Sequence, residues 1–245
     1  MRSRFTKYLL PIILTAALLA AGCAPKNTVY SSSVDPARIY QSYDVSGTWY
    51  GTTVVAMFRD GGPDGKVIEL ASPARIEYNG GVLKRDRRVY SDTAAYVLYG
   101  HDVAAENSFL FTDPAGNTYR NSITVVPVEI DSEERFTADR NKDLVLRLSR
   151  AIKDDETLVT TVFVTPTDKS PNASHKKSLV KLENNFSGDR SAIIIRQLEL
   201  LSLSSGQAVV SVKISGEKKI EESAPAGGKM TYDSESKGIY FTLPE

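Results

Sequence analysis

The chain has 245 residues but one cysteine, two histidines, one tryptophan and three methionines, with 30 basic residues balanced by 30 acidic ones. Each scarcity removes a class of protein. A lone thiol, Cys23, excludes any disulfide within the chain, so a hydrophobic core alone must hold the fold. His101 in YGHDV and His175 in NASHKK stand far apart, without metal-ligand spacing or a nucleophile elbow around them. Charge balance without a clustered basic face argues against nucleic acid as a partner. No Gly-rich phosphate loop, internal repeat, low-complexity tract or βαβ alternation is present. Long apolar runs are also missing. The longest, Tyr8 to Ala21, is fourteen residues with Thr15 its one clearly polar member, short of the roughly 20 that a stable span needs.

That run nevertheless has a place in a known grammar. MRSRFTK ahead of it carries Arg2, Arg4 and Lys7 and no acid, a positive n-region that stays cytoplasmic during export. The apolar segment has the length of a signal-peptide h-region, and Pro11 within it disfavours a permanent helical anchor. Cys23 follows directly.

Leu19-Ala20-Ala21-Gly22-Cys23 resembles the lipobox of bacterial lipoproteins, although Ala20 stands where that family prefers Leu, which here falls one step earlier at Leu19. The resemblance covers about the first tenth of the chain. It implies removal of residues 1–22, a diacylglyceryl thioether on Cys23 and acylation of the freed amine. Membrane attachment through acyl chains on Cys23 follows, since two or three chains at roughly 0.8 kcal/mol per buried methylene hold a protein durably. Residue 24 is Ala, not the Asp that retains such proteins at the inner membrane, so the resemblance implies the outer membrane, on its periplasmic face. The alternative is an ordinary secretory signal cut after Ala24. It would leave Cys23 removed or incidental.

Removing residues 1–22 leaves 27 basic against 30 acidic residues, a mildly acidic body of 223 residues. That is enough for one large β domain or two small ones. Residues 23–44 are polar and turn-prone and read as the lipidated N-terminus and a tether, with Tyr30, Tyr40 and Tyr43 suited to pack part of it on the body. From Val45 to Glu245 the chain becomes short β-rich runs between Gly, Pro, Asn and Asp. The expectation is an all-β, predominantly antiparallel barrel or sandwich of about ten or more strands behind a flexible tether. Leu144, Leu146 and Leu148 alternate with Val145, Arg147 and Ser149, and Val210, Val212 and Ile214 alternate with Ser211, Lys213 and Ser215. One face is buried, one wet. Other strands are expected at 48–58, 66–70, 74–78, 88–90, 94–99, 108–112, 123–130, 157–165, 178–182, 218–222, 230–233 and 238–243. AIIIRQLELLSLSS, 192–205, admits a helix through Ile194, Leu198 and Leu201, but its β-branched triplet favours a strand and a hairpin through Ser204 to Gln207. Polar residues 131–143 are a possible sub-boundary.

Three further stretches bear on function. Gly47-Thr48-Trp49 resembles the Gly-x-Trp motif of lipocalins and related calycin barrels, which implies an indole closing a barrel around an apolar ligand; Arg190 or Arg196 could be the late arginine of that family. The plainer reading makes Trp49 a core aromatic at the head of a strand. Asp139, Asn141 and Asp143 alternate as in a calcium loop, yet the sixth position lacks Gly and the twelfth is Arg150, which favours a solvated turn. Lys84-Arg85-Asp86-Arg87-Arg88 reads as a charged strand edge. Neither a metal nor another cofactor is expected.

Two functional classes therefore stand: a non-enzymatic envelope module that binds a protein or glycan, and a calycin-like carrier of an apolar ligand. An envelope hydrolase built around His101 is the third, minority reading.

Overall fold

The structure is a computed structural model; it describes residues 28–87, 93–100, 104–133, 135–167 and 176–245. Its first strands are β1 Thr28–Tyr30, β2 Ile39–Thr48, β3 Gly51–Asp60, β4 Val67–Glu69, β5 Arg75–Tyr78, β6 Gly81–Val82, β7 Lys84–Arg85, β8 Tyr96–Gly100, β9 Glu106–Thr112 and β10 Thr118–Thr124. There follow β11 Ile130–Asp131, β12 Arg135–Thr137, β13 Leu144–Leu148, β14 Glu156–Pro166, β15 Leu179–Glu183, β16 Ala192–Ile195, a short helix α1 Gln197–Ser202, β17 Gly206–Lys219, β18 Gly228–Glu235 and β19 Ile239–Leu243. Strand is the dominant state, at 56% of the described residues.

Twelve strands form the main sheet, whose path runs β1-β4-β3-β2-β18-β17-β14-β15, with β8 and β7 beside β3 and with β19 and β12 beside β17. Most neighbours are antiparallel, but β1 with β4, β2 with β18 and β12 with β19 are parallel. The path ends at β1 and β15 and does not close into a barrel among the described residues. Two smaller sheets, β10-β9-β5-β6 and β11-β13-β16, complete the molecule.

The inner face of the main sheet is built by strict alternation. Along β2 the buried positions are Ile39, Gln41, Tyr43, Val45 and Gly47, and along β17 they include Val210, Val212 and Ile214. Sheet β10-β9-β5-β6 lies against the β2–β3 part of this face. Tyr43 stacks on Phe109 at 4.5 Å and Phe58 meets Phe111 at 4.4 Å. The third sheet is tied to β14 through Asn185, whose Oδ1 accepts the Thr160 hydroxyl at 2.7 Å and whose Nδ2 donates to the Ile194 carbonyl at 3.1 Å. One hydrophobic cluster runs through all three sheets. Among its polar groups, Asn107 accepts the Tyr78 hydroxyl at 2.6 Å and donates to the carbonyls of Ala104 and Ile123.

Glu156 is the chief charged group of the interior. It is 4% exposed, takes a bidentate pair from Arg150 at 2.7 Å, and also accepts the Lys153 N–H at 2.8 Å and the Tyr232 hydroxyl at 2.7 Å. Burial opposes its ionisation, but these donors and the Arg150 charge outweigh that and hold the carboxyl down to about 2. Burial and the same carboxylate push Tyr232 well above an ordinary phenol. Gly216 makes the contact possible. It pairs with Glu156 on one side and Tyr232 on the other, and a Cβ there would lie 2.3 Å from the tyrosine ring.

Several boundaries differ from the sequence expectation. The tether does not extend to residue 44: from Thr28 the chain is already in the fold, and β2 begins at Ile39 in the middle of the main sheet. Gln41, buried at 0% exposure, interrupts the apolar alternation and masks it. Residues 192–205 are not one strand and a hairpin. Only Ala192–Ile195 is strand, and α1 follows, burying Leu200 while leaving Leu198 78% exposed. Residues 131–143 are integrated by Arg140, a buried guanidinium that donates to the carbonyls of Leu200, Leu203 and Pro244. The segment expected as one strand at 123–130 divides between the ends of β10 and β11. The strand expected at 88–90 lies outside the described residues.

Candidate functional site

β2 and β3 form a ten-residue antiparallel ribbon whose register, from Ile39 with Asp60 to Thr48 with Gly51, leaves two residues for the turn. Those residues are Trp49 and Tyr50. Asn-Gly is the ordinary choice at such a turn; two bulky aromatics gain nothing there unless their side chains have another use. They are 64% and 69% exposed, in edge-to-face contact at 5.2 Å, with Thr48 Oγ1 donating to the Gly51 carbonyl below them. Trp49 is therefore neither a core aromatic nor the lid of a barrel. Both sequence expectations for it fail, because the alternation that buries Val45 and Gly47 ends at the turn.

A shallow concavity lies on each side of the turn. On one side, about 210 Å³ is lined by Trp49, Val209, Ser211, Glu235 and Tyr240 among others. On the other, about 380 Å³ is bounded by Tyr50, Tyr99, Ser46, Thr48 and Thr53 among others. Tyr99 donates to Asp86 Oδ2 at 3.0 Å. Gly238 sets the first wall: a Cβ there would come 2.6 Å from Val209 Cγ2, so glycine admits the close approach that brings β19 alongside.

Beyond Trp49 the outer face of the main sheet carries an apolar row. Tyr240 pairs with Val209, Val209 with Phe163 and Phe163 with Leu179, so four neighbouring strands place these side chains in one line. Tyr240, Phe163 and Leu179 are 55%, 46% and 46% exposed. The rows on either side are uncharged across β19, β17 and β14: Thr242, Gln207 and Thr165 below, and Ser211 with Thr161 above. Gln207 Nε2 donates to Thr242 Oγ1 at 3.0 Å. Sequence reasoning missed this row, yet it left a signal. Val162-Phe163-Val164, Val209-Val210 and Tyr240-Phe241 put apolar groups on both faces of their strands.

The other candidates resolve as structural. Asp143 Oδ2 pairs with Arg196 at 2.8 Å while Oδ1 accepts the Gln197 N–H at 2.8 Å, and Asp139 pairs with Lys142 and accepts the Asn141 N–H. The calcium-like oxygens thus serve turns. Lys84 and Arg85 form the short edge strand β7, and Arg85 and Arg87 pair with Glu69, in keeping with a charged edge; Arg88 lies outside the described residues. Asp189 accepts the hydroxyls of Ser187 and Ser191, which hold it down to about 2, beside a surface concavity of the third sheet. Those bonds close the Ser187–Ser191 turn. Arg190 stacks on Phe186 at 4.5 Å rather than on Trp49, and Arg196 pairs with Asp143, so neither plays the late-arginine role of a lipocalin. Cys23, His101 and His175 lie outside the described residues. Among the described residues there is no group of three or more His, Cys, Asp or Glu suited to a metal, and no helix long and apolar enough to cross a membrane.

No family model matches the chain, and no curated protein does. Among solved structures it is similar to a chain described as giving structural insight into host cell surface retention of a 1.5-MDa bacterial ice-binding adhesin, at 10% identity over 86% of this chain and 67% of that one, with a TM-score of 0.21. A superposition of that quality carries no argument about fold or function. The chain forms a mostly β domain with an aromatic turn and an open apolar row at one end.

Proposed function

We propose that the chain is an exported bacterial lipoprotein, anchored through acyl chains on Cys23 at the periplasmic face of the outer membrane, whose β domain is a non-enzymatic binding module. Three features of the leader support the anchor: the basic start, the fourteen-residue apolar run and the small residues ending at Cys23. The observation that carries binding is the exposure of Trp49 and Tyr50 together with the Tyr240–Leu179 row, since contiguous exposed apolar surface on a soluble body marks an interaction site.

The geometry suits such a module. Thr28 pairs with Val67, and Val67 with Arg59, at the end of the β2–β3 ribbon remote from its turn. Eight residues of β3 separate Arg59 from Gly51, about 27 Å at strand rise. A chain starting at Cys23 has five residues before Thr28, about 17 Å at full extension. The lipid end and the aromatic end therefore face opposite ways, and the aromatic turn points from the bilayer toward the envelope interior. An apolar carrier would instead use an interior cavity beside Trp49, where the concavity is a surface one.

The test is palmitate labelling with membrane fractionation of the full chain and of Cys23→Ser. Label and membrane association are expected to vanish in the variant while folding is unchanged. A variant that keeps both would contradict the anchor.

A further inference from the structure

We infer that β1 and the loop between β3 and β4, residues 61–66, form the face on which this domain rests against the lipid bilayer that holds its own acyl chains. The inference rests on the anchor proposed above and adds the surface that meets the membrane. Three observations carry it.

Reach comes first. The five residues from Cys23 to the start of β1 span at most about 17 Å in any conformation, and the headgroup layer of a leaflet takes up about 6 Å of that. Thr28 is therefore held within about 11 Å of the headgroups. The entry point is also fixed to the body. Thr28, Val29 and Tyr30 pair with Val67, Ile68 and Glu69, and directly after them Ser31, at 0% exposure, accepts the Ala71 N–H at 2.8 Å. The domain cannot stand off the membrane on a loose leader.

The second observation is the bracing of the neighbouring loop. Asp60 N–H donates to the Lys66 carbonyl at 2.9 Å, Gly61 N–H to the Arg38 carbonyl at 2.7 Å and Gly65 N–H to the Gly62 carbonyl at 3.1 Å, while Arg59 Nη1 donates to the Gly65 carbonyl at 3.1 Å. Arg38 closes the base with an ion pair to Asp60 at 2.7 Å. The Gly61–Arg38 bond continues the β2–β3 ribbon past Ile39 and Asp60, so the turn at 62–65 lies at the end of the ribbon remote from Trp49. Val67, which opens β4 just after that turn, is the partner of Thr28. A braced turn thus stands beside the point where the tether joins the fold.

Third, the exposed groups fit a neutral lipid surface. Pro63 at the turn is exposed, and so, at 60%, is Tyr30, a residue type that favours the membrane–water interface. Arg38 pairs with Asp60, the Asp35 carboxylate accepts the Ala37 N–H, and exposed Lys66 is matched by exposed Asp64. Among the described residues, this end therefore has no basic excess of the kind an anionic surface calls for. Tether length makes the contact, not charge. Its consequence is a fixed height: the body acts as a strut that holds the Trp49–Tyr50 turn about 27 Å beyond Arg59.

Two single-tryptophan reporters, Tyr30→Trp and Pro63→Trp, each in a Trp49→Phe background, would be compared with the wild type, whose one tryptophan is Trp49. All three, as acylated full chains, would be reconstituted into phosphatidylcholine vesicles with and without a nitroxide on the headgroup. Circular dichroism checks that each variant folds. The nitroxide is expected to quench both reporters about twofold or more beyond Trp49, equally in low and high salt. Inserting about twelve Gly and Ser residues between Asn27 and Thr28 should bring the reporters down to the level of Trp49 while the chain still floats with the vesicles. Quenching that is equal at the three positions, stronger at Trp49, abolished by salt or unchanged by the insertion would overturn the resting face alone. Flotation reads the anchor separately: a wild type that does not float, or a Cys23→Ser variant that floats as well, overturns the anchor and the resting face with it.

Discussion

Two sets of aromatic side chains in this protein obey opposite rules. Tyr43, Phe58, Phe109 and Phe111 are fully buried between two sheets, and the one hydroxyl among them, that of Tyr43, donates to Gln41 Oε1 at 2.7 Å. Trp49, Tyr50, Tyr240 and Phe163 lie open on the outer face and at the turn. The first set is what a chain without disulfides must have to stand. The second set adds nothing to that core, in keeping with the binding role proposed above. The comparison teaches that aromatic content is not itself a sign of core; the phase of the strand decides.

Substitutions break the comparison in a defined order. Phe58→Ala removes a fully buried ring that touches Tyr43, Tyr96 and Phe111, and is expected to cost about 3–5 kcal/mol in chemical denaturation. Glu156→Gln comes next. The folded carboxyl titrates near 2 against an ordinary 4.5, so its contribution, about 3 kcal/mol, is present above pH 4.5 and is lost as pH falls toward 2. Denaturation at several pH values should show the gap between wild type and variant at full size at pH 7 and closing below pH 4.5. Tyr43→Phe leaves the Gln41 oxygen without its donor and should cost about 1–3 kcal/mol. The smallest effect belongs to the open set: Trp49→Ala and Phe163→Ala should change stability by no more than about 0.5 kcal/mol. A large loss in either would mean that the outer face carries the fold.

Sequence made the β class, the short turns and the two cleanest alternating strands legible, because Leu146 and Leu148 and the Val210–Ile214 series follow period two without interruption. It obscured β2, where a buried Gln41 stands in an apolar phase, and α1, where three β-branched residues precede a helix of only six residues. The open row was hidden for a different reason. Phe163 and Tyr240 read as ordinary strand residues until the register of four strands sets them side by side. Trp49 misled because an aromatic at the head of a β run is core by default, and only the two-residue turn, set by pairing Thr48 with Gly51, moves it outside.

The division between the two sets is tested most directly by iodide quenching of Trp49 emission in the full chain. The account predicts the red-shifted emission of a solvated indole that iodide quenches freely. Blue-shifted emission that iodide does not reach in the free protein would contradict it.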